Sequence, residues 1–264
     1  MQPVLLQLGP VTFYSFGVFA AVAFAVGGYA ILQLARQDKL PLRHLADYGL
    51  YTAVAALIGA RLWYVLFRPD EIDSFWQLFT VGGGGLALPG GLLVGAIVLV
   101  LAIRRNGEPV WPWLDIAAIG TAAGLAVGKL GSLLNGDGFG IASSLPWAVT
   151  FTDSQAPASI AGEALHPLQL YAVILYAALA FGLWKFHERA RVGQTGRQWS
   201  AGSVFWAGLL GASVIQLVLE PLHSSLDALT FVGDDTARVI FPTALTLIAV
   251  SAVVLYRLRP GRAT

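Results

Sequence analysis

Long apolar runs separated by short polar clumps dominate this chain. Runs long enough to cross a bilayer, at about 20 residues each, fall near 12–35, 46–67, 90–104, 113–135, 166–186, 201–222 and 238–256. They predict an all-α polytopic membrane protein of about seven helices, folded as one integral membrane domain over 1–264. The third run is short. The "LFTVGGGGLALPGG" stretch leading into it predicts a broken or re-entrant approach, because glycines interrupt helices. No linker or internal repeat points to a second domain.

The polar clumps set the orientation. Arg36, Lys39 and Arg43 fall in the first loop, Arg104 and Arg105 in the third, Arg189, Arg191 and Arg197 in the fifth, and Arg257, Arg259 and Arg262 in the tail. On the other side stand only Arg68 and Arg238, and the long loop 136–165 has no lysine or arginine. Lysine and arginine concentrate in cytoplasmic loops, which predicts an external N-terminus and a cytoplasmic C-terminus.

Composition agrees with a bilayer setting. The chain is 56% hydrophobic and 12% charged, about half the charge of the roughly 25% usual in soluble domains. Its net charge is +1, with basic residues scattered over loops, so no nucleic-acid surface is expected. It has no cysteine, which excludes disulfides, a thiolate nucleophile of its own and a Cys-ligated metal. The opening "MQPVLLQLGPVTFYSFG" lacks a basic n-region and a small-residue cleavage pattern, and reads as retained.

Polar residues inside spans are costly and usually face protein interior. Here they are Arg61, Lys129, Gln216 and Glu220. Their three spans all run outward. Arg61, Lys129 and Gln216 each lie about six residues from the outer end, roughly 9 Å deep at a rise of about 1.5 Å per residue. His166 lies just above that level. The pattern predicts a polar pocket open to the outer leaflet, with cations suited to an anionic lipid headgroup. The plainer alternative is a structural bridge between Arg61 and Glu220.

Other features are expected to serve structure. Gln216, Glu220 and His223 fall at helical spacing and predict one face of the sixth helix. His166-Pro167 predicts a helix start with proline in the first turn, His166 being either a cap or a site residue. Gly120, Gly124, Gly128 and Gly131, like Gly91 and Gly95, predict close helix packing. Trp63, Trp76, Trp111, Trp113, Trp147 and Trp199 are expected as interface anchors, and Asp70, Glu71 and Asp73 as a solvated turn. The sequence has no HExxH, GxSxG or phosphate-cradling loop.

Six blocks, in order, resemble the prolipoprotein diacylglyceryl transferase family: "LGPVTFYSFGVF", "GARLWYVLF" (59–67), "GGLALPGGLLVG" (84–95), "GKLGSLLNGDGFG" (128–140) with "PWAVTF" (146–151), and "HPLQLY" (166–171). The resemblance implies an enzyme of the bacterial cytoplasmic (inner) membrane. It would move diacylglyceryl from phosphatidylglycerol to the lipobox cysteine of a prolipoprotein, with glycerol phosphate leaving and no cofactor, metal or nucleic acid involved. It implies Lys129, His166 and His223 as catalytic candidates. Arg61, Asn135, Asp137, Gly140, Gln169, Tyr171, Gln216 and Glu220 would bind substrate.

The chain also departs from the family pattern. Lys129 opens the signature block where the family has arginine, Ser132 stands for asparagine, and Asp137 for the usual glutamate. Pro89 replaces a histidine, Phe16 a tyrosine, Gln216 and His223 arginines, and Ala172 a glutamate. Lysine keeps the charge at 129 but not the bidentate fork of arginine. Three functions therefore stand: the family's transfer on an altered cation set, transfer with another lipid or acceptor, and non-catalytic lipid or lipoprotein binding. A transporter fits less well, since the polar level lies off the midplane where transport sites sit.

Overall fold

The computed structural model describes residues 4–8, 11–67, 69, 86–150, 162–192, 199–223 and 236–259. Among the described residues, an antiparallel hairpin, β1 (Val4–Leu8) and β2 (Val11–Tyr14), leads into seven α-helices. These are α1 (Ser15–Gln37), α2 (Leu45–Phe67), α3 (Leu88–Arg105), α4 (Val110–Asn135), α5 (Leu168–Val192), α6 (Ser203–Leu219) and α7 (Thr236–Arg257). Among the described residues, six helices are long and apolar enough to cross a membrane, and Pro242–Arg257 is a shorter apolar helix. The protein is an all-α polytopic membrane protein.

The elements differ from expectation in three places. Residues 12–14 belong to β2 rather than to the first span, because the β-branched and aromatic residues Val11, Thr12, Phe13 and Tyr14 suit an extended chain paired with β1. Pro167 lies just before α5 rather than inside its first turn, and its carbonyl accepts the Tyr171 N–H at 3.2 Å. Trp113 is not an interface anchor. It is 2% exposed, meets Tyr48 edge-on at 5.3 Å between centroids, and donates its indole N–H to Glu108 at 2.8 Å. Trp111 and Trp147 are exposed, as expected. Arg68, Asp70, Glu71, Asp73, Trp76 and the glycine-rich approach to α3 as far as residue 85 lie outside the described residues.

Helix α4 is the hub, packing against α1, α5 and α6, while α2 packs on α3 and α6 on α7. The glycine stripe explains the approach of α1. A Cβ on Gly27 would come 2.8 Å from the Gly120 carbonyl oxygen, and one on Gly120 2.7 Å from that of Gly27. Only two glycines let these backbones meet. Farther along α4, Gly124 faces the Ala23 carbonyl and Gly131 faces Phe19.

The end read as cytoplasmic holds a buried core of Leu34, Tyr48, Ile103, Trp113, Ile116, Leu183 and Val204. Polar groups clamp it. Asp115 of α4 accepts the Gly202 N–H at 2.7 Å and the Phe205 N–H at 2.8 Å, capping α6. Asp38, just after α1, meets Arg191 Nε at 2.7 Å and His187 Nε2 at 3.1 Å, both on α5. That end is fixed. The opposite ends of α4, α5 and α6 carry the candidate site.

Candidate functional site at the ends of helices α4, α5 and α6

The site begins where α4 stops. Gly136 takes the left-handed conformation at φ 79°, which suits glycine at a helix end. The N–H groups of Gly136 and Asp137 then close on the Ser132 carbonyl at 2.8 and 3.1 Å. Asn135 donates its amide to the Asp137 carboxylate at 2.8 Å. Gln169, buried on α5, donates its amide to the Asp137 carbonyl at 2.7 Å. Asn135, Asp137 and Gln169 thus form one tether that holds the loop against α5.

The loop next threads between two other segments. The Gly140 N–H donates to the His166 carbonyl, the His166 N–H to the Ile141 carbonyl, and the Ile141 N–H to the Leu222 carbonyl, each at 3.0 Å. Gly140 also bridges His223 in antiparallel fashion. Beyond it, β3 (Val149–Thr150) pairs with β4 (Ala164–Leu165). His166 and His223, far apart in sequence, flank one glycine.

His223 does not lie on the face of α6 that its spacing predicts. The helix ends at Leu219, residues 220–222 form one tighter turn, and His223 is extended at φ −71° and ψ 138°. Pro221 is the cause, since it has no N–H to give and its ring clashes with the helix behind it. Gln216 and Glu220 stay together, the amide donating to the carboxylate at 2.9 Å. The Nδ1 atom of His223 is buried with no hydrogen-bond partner among the described residues. Burial pushes this imidazole below the ordinary histidine value, the Glu220 carboxylate opposes that shift, and the Lys129 ammonium adds to it. Lys129, Glu220 and His223 therefore form one electrostatic group drawn from α4 and the end of α6.

The remaining candidates are also placed. His166 Nδ1 lies 3.2 Å from the Tyr171 hydroxyl, which accepts the Trp147 indole N–H at 2.7 Å. Trp147 is a partner that sequence reasoning took only as an anchor; its place in "PWAVTF" was the available signal. Arg61, half-buried in the second half of α2, sits over the Tyr64 ring at 5.4 Å from its centroid. Ala172 is buried in an apolar cluster with Ala126, Tyr176 and Ile215, so a small side chain suits that position. Phe16 and Pro89 are exposed.

Comparison with known proteins identifies the family. A family model described as prolipoprotein diacylglyceryl transferase matches residues 3–257. Three similar proteins are each named phosphatidylglycerol–prolipoprotein diacylglyceryl transferase. That of Synechococcus elongatus is 29% identical over 97% of this chain and 88% of its own length. That of Bordetella avium is 33% identical over 83% and 80%, and that of Agrobacterium fabrum 30% identical over 70% of each. With the match running through every helix and the loop that carries the site, the chain belongs to the prolipoprotein diacylglyceryl transferase family.

Proposed function

We propose that this protein carries the diacylglyceryl group of phosphatidylglycerol to the lipobox cysteine thiol of a prolipoprotein, at the outer face of a bacterial cytoplasmic membrane. The observation that carries this reading is the grouping of Lys129, Glu220 and His223 beside the tethered loop 135–142, at one end of an apolar bundle. Such a grouping suits a phosphate ester whose acyl chains remain in lipid.

The chemistry needs little from the protein beyond charge and proton handling. The thiol loses its proton, and its sulfur attacks the glyceryl carbon next to the phosphate. A C–S bond forms and the C–O bond breaks. The electron pair leaves on the oxygen of glycerol phosphate. Lys129 supplies positive charge to that leaving group, whereas Arg61, on α2, sits over the Tyr64 ring. Preorganised charges of this kind act strongly where water is excluded. Gln216 takes the place of a further cation, and its amide orients the Glu220 carboxylate. Asn135, Asp137 and Gln169 hold the loop, and Gly140 lets it pass between the two histidines. His166 and His223, on either side of Gly140, are the groups placed to take the thiol proton or to hydrogen-bond the leaving oxygen.

The test is transfer of labelled diacylglyceryl from phosphatidylglycerol to a lipobox cysteine peptide. Thioether-linked label, lost in Lys129→Ala, is expected. A folded protein that binds the lipid but labels no peptide would overturn the reading.

A further inference from the structure

The hydrogen bonds around Tyr171 bear on which nitrogen of His166 carries a proton. An indole N–H can only donate. Trp147 gives its N–H to the Tyr171 oxygen at 2.7 Å. That occupies a lone pair of the phenol and leaves the phenol's own proton to be donated. The nearest nitrogen able to take it is His166 Nδ1, 3.2 Å away. Among the described residues the structure places no other acceptor at this hydroxyl. A neutral imidazole that accepts at Nδ1 carries its proton at Nε2.

We infer that Trp147, acting through Tyr171, is a positioning residue that fixes His166 as the neutral Nε2–H tautomer, so that His166 donates a hydrogen bond to the reacting lipid and is not the base for the thiol. The inference rests on the transferase reading of the site.

The backbone supports it. His166 is pinned on both sides, its N–H by Ile141 and its carbonyl by Gly140. The ring therefore hangs from a fixed point beside the loop, and the Tyr171 hydroxyl sets its turn. The two rings meet edge to face, at 6.1 Å and 64°. Trp147 is 55% exposed, so its indole is not there to fill a core. In the reaction, the oxygen that leaves with glycerol phosphate gains the electron pair of the broken C–O bond. A donor at His166 Nε2 stabilises that pair by hydrogen bonding, with no net proton transfer. The thiol proton passes to the other histidine, His223.

The test uses the full-length protein in phosphatidylglycerol nanodiscs, with nitrogen-15 histidine. His166→Gln assigns the signal among the four histidines. The expected wild-type result is the Nε2–H tautomer at His166. Tyr171→Phe should give a mixture of tautomers. Trp147→Phe, which keeps an aromatic ring at an exposed position, should shift the same equilibrium part of the way. It should also lower kcat by about tenfold, the worth of one hydrogen bond, with the acid limb of the pH profile unmoved. An Nδ1–H tautomer in the wild type, or an unchanged tautomer in Tyr171→Phe, would overturn the inference. The spectrum is read whether or not the protein turns over. Failure of the transferase reading, seen as unlabelled peptide with wild-type protein, is therefore recorded separately.

Discussion

Gly140 lies so close to His166 that a Cβ on the glycine would sit 2.6 Å from the histidine's Cβ and 2.9 Å from the Leu222 carbonyl oxygen. Real Cβ atoms do not approach that closely, and one of the neighbours here is backbone. Gly140→Ala should push the loop away from His166 and the 222–223 segment while leaving the helices in place. A displacement near 1 Å can cost on the order of a hundredfold in rate. Transfer to a lipobox peptide should fall by that order, with the thermal unfolding midpoint nearly unchanged. An alanine variant working at the wild-type rate would show that the loop's position is irrelevant to the reaction.

Lys129 is the cation that the electrostatics of the site couple to His223. Lys129→Ala should lower transfer on the order of a hundredfold or more, the usual cost of removing one preorganised charge. Lys129→Arg keeps the charge and adds a fork that grips phosphate with two hydrogen bonds. It should retain most of the activity and bind phosphatidylglycerol at least as tightly. Steady-state kinetics with varied lipid checks both. An active alanine variant, or an arginine variant as dead as alanine, would mean that charge is not what residue 129 provides.

His223 gives the site a pH dependence with a definite sign. Burial lowers its value from 6.5, so the folded protein resists protonation more than the unfolded chain does. The unfolded state then binds more protons as pH falls below 6.5. The stability tied to His223 is whole above that value and declines as pH drops through it toward the lower folded value. The charges of Glu220 and Lys129 act on this ring in opposite directions, and His166 lies across Gly140. The wild-type unfolding midpoint should fall between pH 7 and 5 by more than that of His223→Gln. Equal slopes in the two proteins would remove His223 from the account. The same direction keeps the imidazole neutral, and able to accept a thiol proton, on the acid side of 6.5.

The helices were legible because a bilayer imposes length and hydropathy on every span, and the glycine stripe because helices in lipid associate through small residues. Counting alone put Arg61, Lys129 and Gln216 at one depth; of these, Gln216 bonds Glu220, Lys129 is coupled to His223, and Arg61 sits over Tyr64. What escaped depends on partners remote in the chain. Nothing near Asp115 says that it caps α6 through Gly202 and Phe205. Nothing near His187 or Arg191 names Asp38. His223 was misplaced because helical spacing was carried past Pro221, where the helix cannot continue. Trp147 looked like any interfacial tryptophan until Tyr171 was seen to take its N–H. Ala172, which reads in sequence as a lost carboxylate, is a methyl group inside an apolar cluster.

Asp115 lies at the far end of α4 from the site, so its removal should separate stability from activity. Its two carboxylate oxygens accept the Gly202 and Phe205 N–H groups at 2.7 and 2.8 Å, and the residue is 6% exposed. Asn at this position keeps one acceptor and points an N–H at a backbone donor. A buried donor left unsatisfied costs about 1–3 kcal/mol. Asp115→Asn should therefore lower the unfolding midpoint in nanodiscs, while the protein that remains folded transfers diacylglyceryl at the wild-type rate. The amino-terminal turn of α6 should also exchange its amide hydrogens faster, because that turn loses its cap. If the rate per folded molecule fell instead, the two ends of the bundle would be coupled through α4 and α6, and the view of a polar clamp at one end carrying an independent site at the other would have to be given up.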